Sequence, residues 1–290
     1  MLTYTRQVTS SAARRTTWPG TLRGLAGACH PLPGLAVTLV AVVLGVGAGL
    51  DVPGTVLLGG AVLSGQLSIG WSNDWIDVAR DRAAGRGDKP AAAGLVAVRT
   101  VAAAAITAVA VTVVLSLSLG WLAGAALLLG VVAGWAYNLG LKATRWSGAA
   151  YLAAFGALPV GVYAASPGEP WPPWWMPVVG ALLGFGAHFA NVLPDLRADA
   201  STGVRGLPHR LGPRTGVIVM AASLAMASVL LGTAPAGAST LFALTAVIGG
   251  TALAAAATVA AVRAPHSAAA FRLTVGIAVF DVGLLAAVTI

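Results

Sequence analysis

From Pro33 onward the sequence is a succession of apolar stretches, each about long enough to cross a lipid bilayer, and no other feature constrains the fold as much. A helix needs about 20 largely apolar residues to traverse ~30 Å of hydrocarbon. Nine stretches approach that length, near residues 33–50, 54–79, 98–119, 121–141, 148–165, 173–195, 216–233, 238–262 and 270–289. Only 9% of the 290 residues are charged, against about 25% in an ordinary soluble domain. So few charges cannot solvate a water-facing surface, which excludes a soluble enzyme, a disordered chain and a nucleic-acid-binding module. The expected fold is all-α, an integral membrane bundle of nine transmembrane helices around a central cavity. Residues 1–30 read as an N-terminal arm and residues 31–290 as a single transmembrane domain. The first apolar run lies too far in for a signal peptide. The single Cys29 rules out a disulfide framework and a cysteine metal cluster.

The basic residues fix a side. Arg6, Arg14, Arg15 and Arg23 precede the first span; Arg80, Arg82, Arg86, Lys89 and Arg99 follow the second; Lys142 and Arg145 follow the fourth. Arg197, Arg205, Arg210 and Arg214 follow the sixth, and Arg263 and Arg272 follow the eighth. The opposite connections carry only Asp51 and Glu169. Positive charge accumulates on the cytoplasmic side, so the expectation is a multi-pass protein of the cell membrane with a cytoplasmic N-terminus and an external C-terminus. Leu117-Ser118-Leu119-Gly120 leaves room for no more than a tight hairpin between the third and fourth spans. Trp171, Trp174 and Trp175 read as an interfacial girdle.

Six of the nine acidic residues fall in two short windows at cytoplasmic helix ends, 74–88 and 195–199. Asn73, Asp77 and Asp81 stand at i, i+4 and i+8, on one helical face. Asn191, Asp195 and Asp199 repeat the spacing. Carboxylates stacked four apart repel one another unless a cation intervenes. One ladder alone reads equally well as a solvated helix end offset by arginines; two with identical spacing favour a shared ligand. Hard oxygen donors on two helices suit Mg²⁺, which keeps several waters and is commonly shared with substrate phosphates.

These ladders resemble the paired aspartate-rich motifs of the UbiA superfamily of intramembrane prenyltransferases. Lys89-Pro90-Ala91-Ala92-Ala93-Gly94 is similar to the family's basic-Pro-x-x-x-Gly segment. Tyr137 through Lys142 is similar to its Tyr-x₄-Lys segment, and Gly206-Leu207-Pro208-His209-Arg210-Leu211-Gly212 to its Leu-Pro-x-x-Leu-Gly run. The resemblance covers roughly residues 30 to 290. Two positions depart from it: Asn191 stands where many members carry an acid, and Lys89 where an arginine is more usual, giving a point charge in place of a fork.

The resemblance implies Mg²⁺-dependent transfer of a prenyl group from a prenyl diphosphate to a small, aromatic quinone- or lipid-precursor acceptor, with release of pyrophosphate. Asn73, Asp77, Asp81, Asp195 and Asp199 form the expected metal set. Asp77, Asp195 and Lys142 are the expected catalytic residues. Lys89, Lys142, Tyr137, Arg145 and Arg210 are the expected substrate-binding set, Arg145 and Arg210 being equally readable as topology or head-group residues. The expected partners are substrate, acceptor and membrane lipid, with no nucleic acid and no obligate protein partner. Trp71, Trp75, Trp135 and Tyr137 are candidates to line a cation-stabilising cavity, with plain helix packing the alternative. His188 reads as an acceptor-orienting residue or a satisfied core histidine. Asp281, in mid-span, is costly as a charge and marks a polar contact or the cavity. A membrane terpene cyclase would share the metal sites and is separated only by assay without acceptor. A transporter would place its unpaired charges nearer the midplane.

Overall fold

The computed structural model describes residues 18–29, 31–168 and 171–289. Arg6, Arg14, Arg15, Glu169 and Ile290 lie outside them. Among the described residues there is no strand. The helices are α1 (Trp18–Ala28), α2 (Pro31–Gly47), α3 (Val52–Ile76), α4 (Val78–Ala83), α5 (Val98–Ser118) and α6 (Trp121–Asn138), followed by α7 (Ser147–Ala165), α8 (Trp175–Val192), α9 (Leu196–Ser201), α10 (Leu207–Thr233), α11 (Thr240–Arg263) and α12 (Ala269–Thr289).

A helix stands at each of the nine expected positions, but the count of nine spans is not reached. Seven described helices are long and apolar enough to cross a membrane alone, or eight if Gly20–Ala28 and Pro31–Gly47, bent by 65°, are taken together. The ninth expected span coincides with α12, whose side chains are described only to Leu284. The outer surface is apolar: Leu39, Val114, Val132, Ile218, Leu244 and Ile248 are all exposed. A continuous surface of this kind is compatible with lipid and not with water, and the chain is a multi-pass membrane protein.

The long helices pack in chain order, α2 on α3, α3 on α5, α5 on α6, and so on to α11 on α12. Helix α12 then packs back on α2 and closes a ring. The centre of the ring is a cavity of about 670 Å³. The α5–α6 hairpin is as tight as expected: Gly120 takes φ 106°, a conformation that L side chains rarely adopt, and its N–H donates to the Leu117 carbonyl. Helices α7 and α8 approach closely because Gly180 and Gly184 give room to Phe155; a Cβ on Gly184 would lie 2.7 Å from the Phe155 side chain. Small residues serve this purpose in membranes, where burial of apolar surface drives little helix association. The tryptophan cluster divides: Trp171 and Trp174 are exposed, whereas Trp175 opens α8 with its ring turned into the core.

Neither carboxylate ladder lies on an unbroken helix, contrary to expectation. Helix α3 ends at Ile76 and resumes as α4 after Asp77. The first ladder survives the break, because the Asp81 N–H still donates to the Asp77 carbonyl four residues back. In the second, a 3-10 turn, Leu193–Asp195, separates α8 from α9. Pro194 has no N–H to give the helix and its ring crowds the preceding turn, which accounts for the interruption.

Candidate active site

Asp77 is the centre of the first ladder and is already heavily paired. Lys142 Nζ donates to both its oxygens, at 2.7 and 2.5 Å. Arg80 donates to Oδ2 at 2.7 Å, and Asn73 Nδ2 to the same oxygen at 3.0 Å. Lys142 arrives from a single 3-10 turn, Leu141–Ala143, that follows the left-handed Gly140 (φ 140°). Burial pushes the Lys142 ammonium below its ordinary range, while Asp77 opposes the shift.

Lys89 is delivered by the segment after α4. Asp74 Oδ2 accepts the Ala91 N–H at 2.9 Å, and Arg82 donates to the Ala91 carbonyl at 3.3 Å. With the segment pinned, Lys89 Nζ reaches Asn73 Oδ1 at 3.1 Å. Asn138 ties α6 to α3, donating to the Ile69 carbonyl and Ser72 Oγ and accepting from Asn73. Asp74 and Asn138 thus hold the site in shape. Their sequence signal was adjacency to the motifs, which does not reveal a bonding partner.

Arg86 stands between the ladders, bidentate to Asp88 at 2.9 and 2.8 Å and 4.0 Å from Asp195 Oδ2. That pairing holds the Asp88 carboxyl down at about 2. Asp81 is buried, and burial raises its carboxyl above the ordinary range. On the second ladder Asp199 stands 3.9 Å from His209, and Asn191 Nδ2 donates to the Tyr151 hydroxyl at 3.5 Å.

Asn73, Arg80, Asp81, Arg86, Lys89 and Lys142 meet Asn191 and Asp199 around one small polar compartment of about 100 Å³. Tyr137, His188 and the segment Gly206 to His209 also contribute to its wall. Asn73, Lys89, Tyr137 and Asn191 also line the large cavity, so the two spaces adjoin. Beyond this junction the cavity wall is formed by residues such as Tyr151, Phe155, Leu127, Leu158 and Val179. Arg145 and Arg210 are not brought to the compartment: both are exposed, and Arg145 lies over the Trp146 ring at 5.2 Å. Trp71, Trp75 and Trp135 are not on the cavity wall either. Trp71 donates to the Leu25 carbonyl, and Trp75 and Trp135 pack edge to face. Tyr137 does line it, with Tyr151 at a ring separation of 5.4 Å. His188 is fully buried, bonded to Ser147 Oγ at 3.0 Å. Asp281 is a cavity residue whose Oδ2 pairs with Ser228 Oγ at 3.3 Å.

No group of three or more His, Cys, Asp or Glu side chains forms a ready-made metal cage among the described residues. Mg²⁺ does not require one, since it is usually held by one or two carboxylates with waters and phosphate oxygens. Asp81 Oδ2 is buried without a hydrogen-bond partner among the described residues, an arrangement that a cation or its bound water relieves. The donor set therefore fits a divalent cation shared with a phosphate ligand.

A closed ring of membrane helices, with a compartment of lysines and carboxylates adjoining an apolar cavity, defines an intramembrane protein with an amphiphilic internal site. The chain belongs to the UbiA prenyltransferase family, whose model matches residues 34–280. It is 34% identical over 188 residues to the bacteriochlorophyll synthase 33 kDa chain of Cereibacter sphaeroides. That match covers 60% of this chain and 61% of the relative's length. Its fold is similar to that of a UbiA homolog from Aeropyrum pernix K1, with TM-score 0.73, 18% identity, and 88% of this chain and 98% of that chain covered. A UbiA homolog from Archaeoglobus fulgidus bound to GPP and Mg²⁺ gives TM-score 0.68 at 15% identity, over 92% of this chain and 98% of that one.

Proposed function

We propose that the protein is a Mg²⁺-dependent prenyltransferase that moves a prenyl group from a prenyl diphosphate to a small acceptor and releases pyrophosphate. The observation that carries this reading is the junction at Asn73, Lys89, Tyr137 and Asn191, where a charged compartment adjoins an apolar cavity. A diphosphate belongs in the first and a hydrocarbon tail in the second, which puts the reacting C1–O bond at the junction. That bond breaks with its electron pair going to the pyrophosphate oxygen. Asn73, Asp77, Asp81, Asp195 and Asp199 would hold the metal. When bound, Mg²⁺ supplies charge neutralisation on the diphosphate.

The chain's own residues do the rest. Lys142 and Lys89 donate to phosphate oxygens and stabilise the charge that accumulates as the bond breaks, which lowers the barrier more than it strengthens binding. For Lys142 this requires leaving Asp77, an exchange that becomes favourable once a cation replaces the ammonium at the carboxylate. Tyr137 and Tyr151 present π faces to the allylic cation. The apolar wall keeps water from capturing it.

Residues 31–290 serve in this reading as one transmembrane domain and residues 1–30 as a cytoplasmic arm. The mouth faces the cytoplasm, where soluble diphosphates are available. The test is a product screen by mass spectrometry, in which purified protein is given several prenyl diphosphates with and without acceptors. Aromatic acids and, because of the relative's name, a bacteriochlorophyll precursor belong among the acceptors. A prenylated acceptor supports the proposal, whereas a cyclic hydrocarbon formed without acceptor replaces it with a cyclase.

A further inference from the structure

Trp71 lies off the cavity wall, and its hydrogen bond shows what it holds instead. Its Nε1 donates to the Leu25 carbonyl of α1 at 2.9 Å, across 46 positions of chain. The chain leaving α1 lies directly on α3, since a Cβ on Gly70 would collide with the Cys29 carbonyl. Leu25 of α1 and Trp71, Trp75 and Val78 all pack against one buried cluster, Ala91, Val96 and Val101. The segment that carries Lys89 is therefore gripped between α1 and α3.

That segment is internally stiff. The Ala93 N–H donates to the Lys89 carbonyl at 2.8 Å, and the Leu95 N–H to the Pro90 carbonyl at 2.9 Å. Pro90 fixes its own φ. A displacement at residues 95–96 is carried through these bonds to residues 89–90. Helix α1 touches that far end with its backbone. A Cβ on Gly24 would stand 2.8 Å from the Val96 Cβ and 3.3 Å from the Leu95 carbonyl oxygen. Val96 is 1% exposed, so it has no free space to yield into. From the α3 side Asp74 accepts the Ala91 N–H, and Lys89 Nζ reaches Asn73 Oδ1 at 3.1 Å.

We propose that Trp71 and Gly24 are positioning residues for Lys89. Through them α1 is the plate on which the turn at 89–96 is set, and it holds the ammonium at the compartment wall without touching a ligand. The inference rests on the role given to Lys89 above. A lysine ammonium is a point charge on a flexible stem, so the backbone that carries it decides how closely it follows charge developing on the leaving group. Helix α1 precedes the first long span in the sequence, yet its packing ties it to the site.

The experiment is a double-mutant cycle on the purified full chain in detergent, with kcat and KM for prenyl diphosphate measured separately. Gly24→Val forces Val96 away, and Trp71→Phe keeps an aromatic ring but loses the N–H. Each is expected to lower kcat about tenfold with a smaller change in KM, since a misplacement of about 1 Å can cost roughly a hundredfold. In a Lys89→Gln background the same substitutions are expected to cost less than about twofold, because residues that act through one group do not add. A kcat within about twofold of the parent in either variant overturns the proposal. So does a loss that persists undiminished without Lys89, which is what a merely structural role gives. If Gly24→Val does not yield folded protein, Trp71→Phe carries the comparison. Titration of magnesium pyrophosphate into the same proteins separates this reading from the transferase, because pyrophosphate bears the full leaving-group charge and reports Lys89 without turnover. Pyrophosphate binding weakened in both variants only while Lys89 is present, in a protein that transfers nothing, rejects the transferase and keeps the positioning role. Transfer with losses independent of Lys89 rejects the positioning role alone.

Discussion

Replacing Lys142 by glutamine removes the cation that bonds both oxygens of Asp77. Without Lys142, Asp77 keeps Arg80 at 2.7 Å and Asn73 at 3.0 Å. It is not stranded, so the stability loss should be about 1–2 kcal/mol, below the 3–5 kcal/mol of a fully orphaned buried charge. The effect on turnover should be larger. If Lys142 meets the leaving pyrophosphate at about 4 Å, one developing unit of charge is worth about 4 kcal/mol at an effective dielectric near 20. Losing it slows the chemical step by roughly a thousandfold. Apparent diphosphate affinity should change far less, because the lost interaction grows as charge builds. The assay is steady-state consumption of prenyl diphosphate by detergent-purified protein, with kcat and KM separated and the melting point recorded alongside. A kcat within about threefold of the parent would return Lys142 to a structural or topological role and refute the reasoning.

Chelation of divalent ions should abolish prenyl diphosphate consumption and added Mg²⁺ should restore it; full turnover in excess chelator removes the metal from the scheme. Asp77→Ala and Asp195→Ala should each lose activity by orders of magnitude while inserting and remaining monodisperse, and near-normal turnover in either dissolves the two-ladder site. A reporter active only outside the cytoplasm should work when fused after Ile290 and fail when fused within 82–88. External labelling in intact cells of a cysteine introduced at the exposed Ser201 would contradict the orientation. Asp88, held at about 2 by Arg86, adds stability above its ordinary carboxylate range that is lost as pH falls from about 4 to about 2. Asp88→Asn should flatten that part of a melting-point profile, and an unchanged slope would remove the pair from the stability account.

The spans were legible because apolar length is a one-dimensional property, and each expected stretch contains a helix. The two ladders were legible as spacing; Asn73, Asp81, Asn191 and Asp199 reach one compartment, whereas Asp77 and Asp195 do not line it. Azimuth was not legible. Arg145 and Arg210 belong to the basic face by sequence, yet charge pattern reports the side of the membrane and not the direction around a helix, and both are exposed and off the compartment wall. Trp71, Trp75 and Trp135 failed as cavity residues for the same reason, since an aromatic near a motif packs equally well behind it. The i, i+4 spacing of Asn191, Asp195 and Asp199 is the same whether or not the helix is continuous, so spacing alone does not reveal the break at Pro194 between α8 and α9. The contact of Lys142 with Asp77 joins residues 65 positions apart, and no local pattern encodes such a pair.

The ring closes only where α12 meets α2, and those helices lie more than two hundred residues apart in the chain. During synthesis every earlier helix can settle against a neighbour already made, while this seam must wait for α12. Until then the interior lacks a wall along the flank of α2, and lipid chains have free access to the space later enclosed. Both aspartate ladders and both lysines are complete well before that moment. Competence for any reaction inside the ring is therefore acquired late and all at once, at the docking of a helix that carries neither ladder nor either lysine.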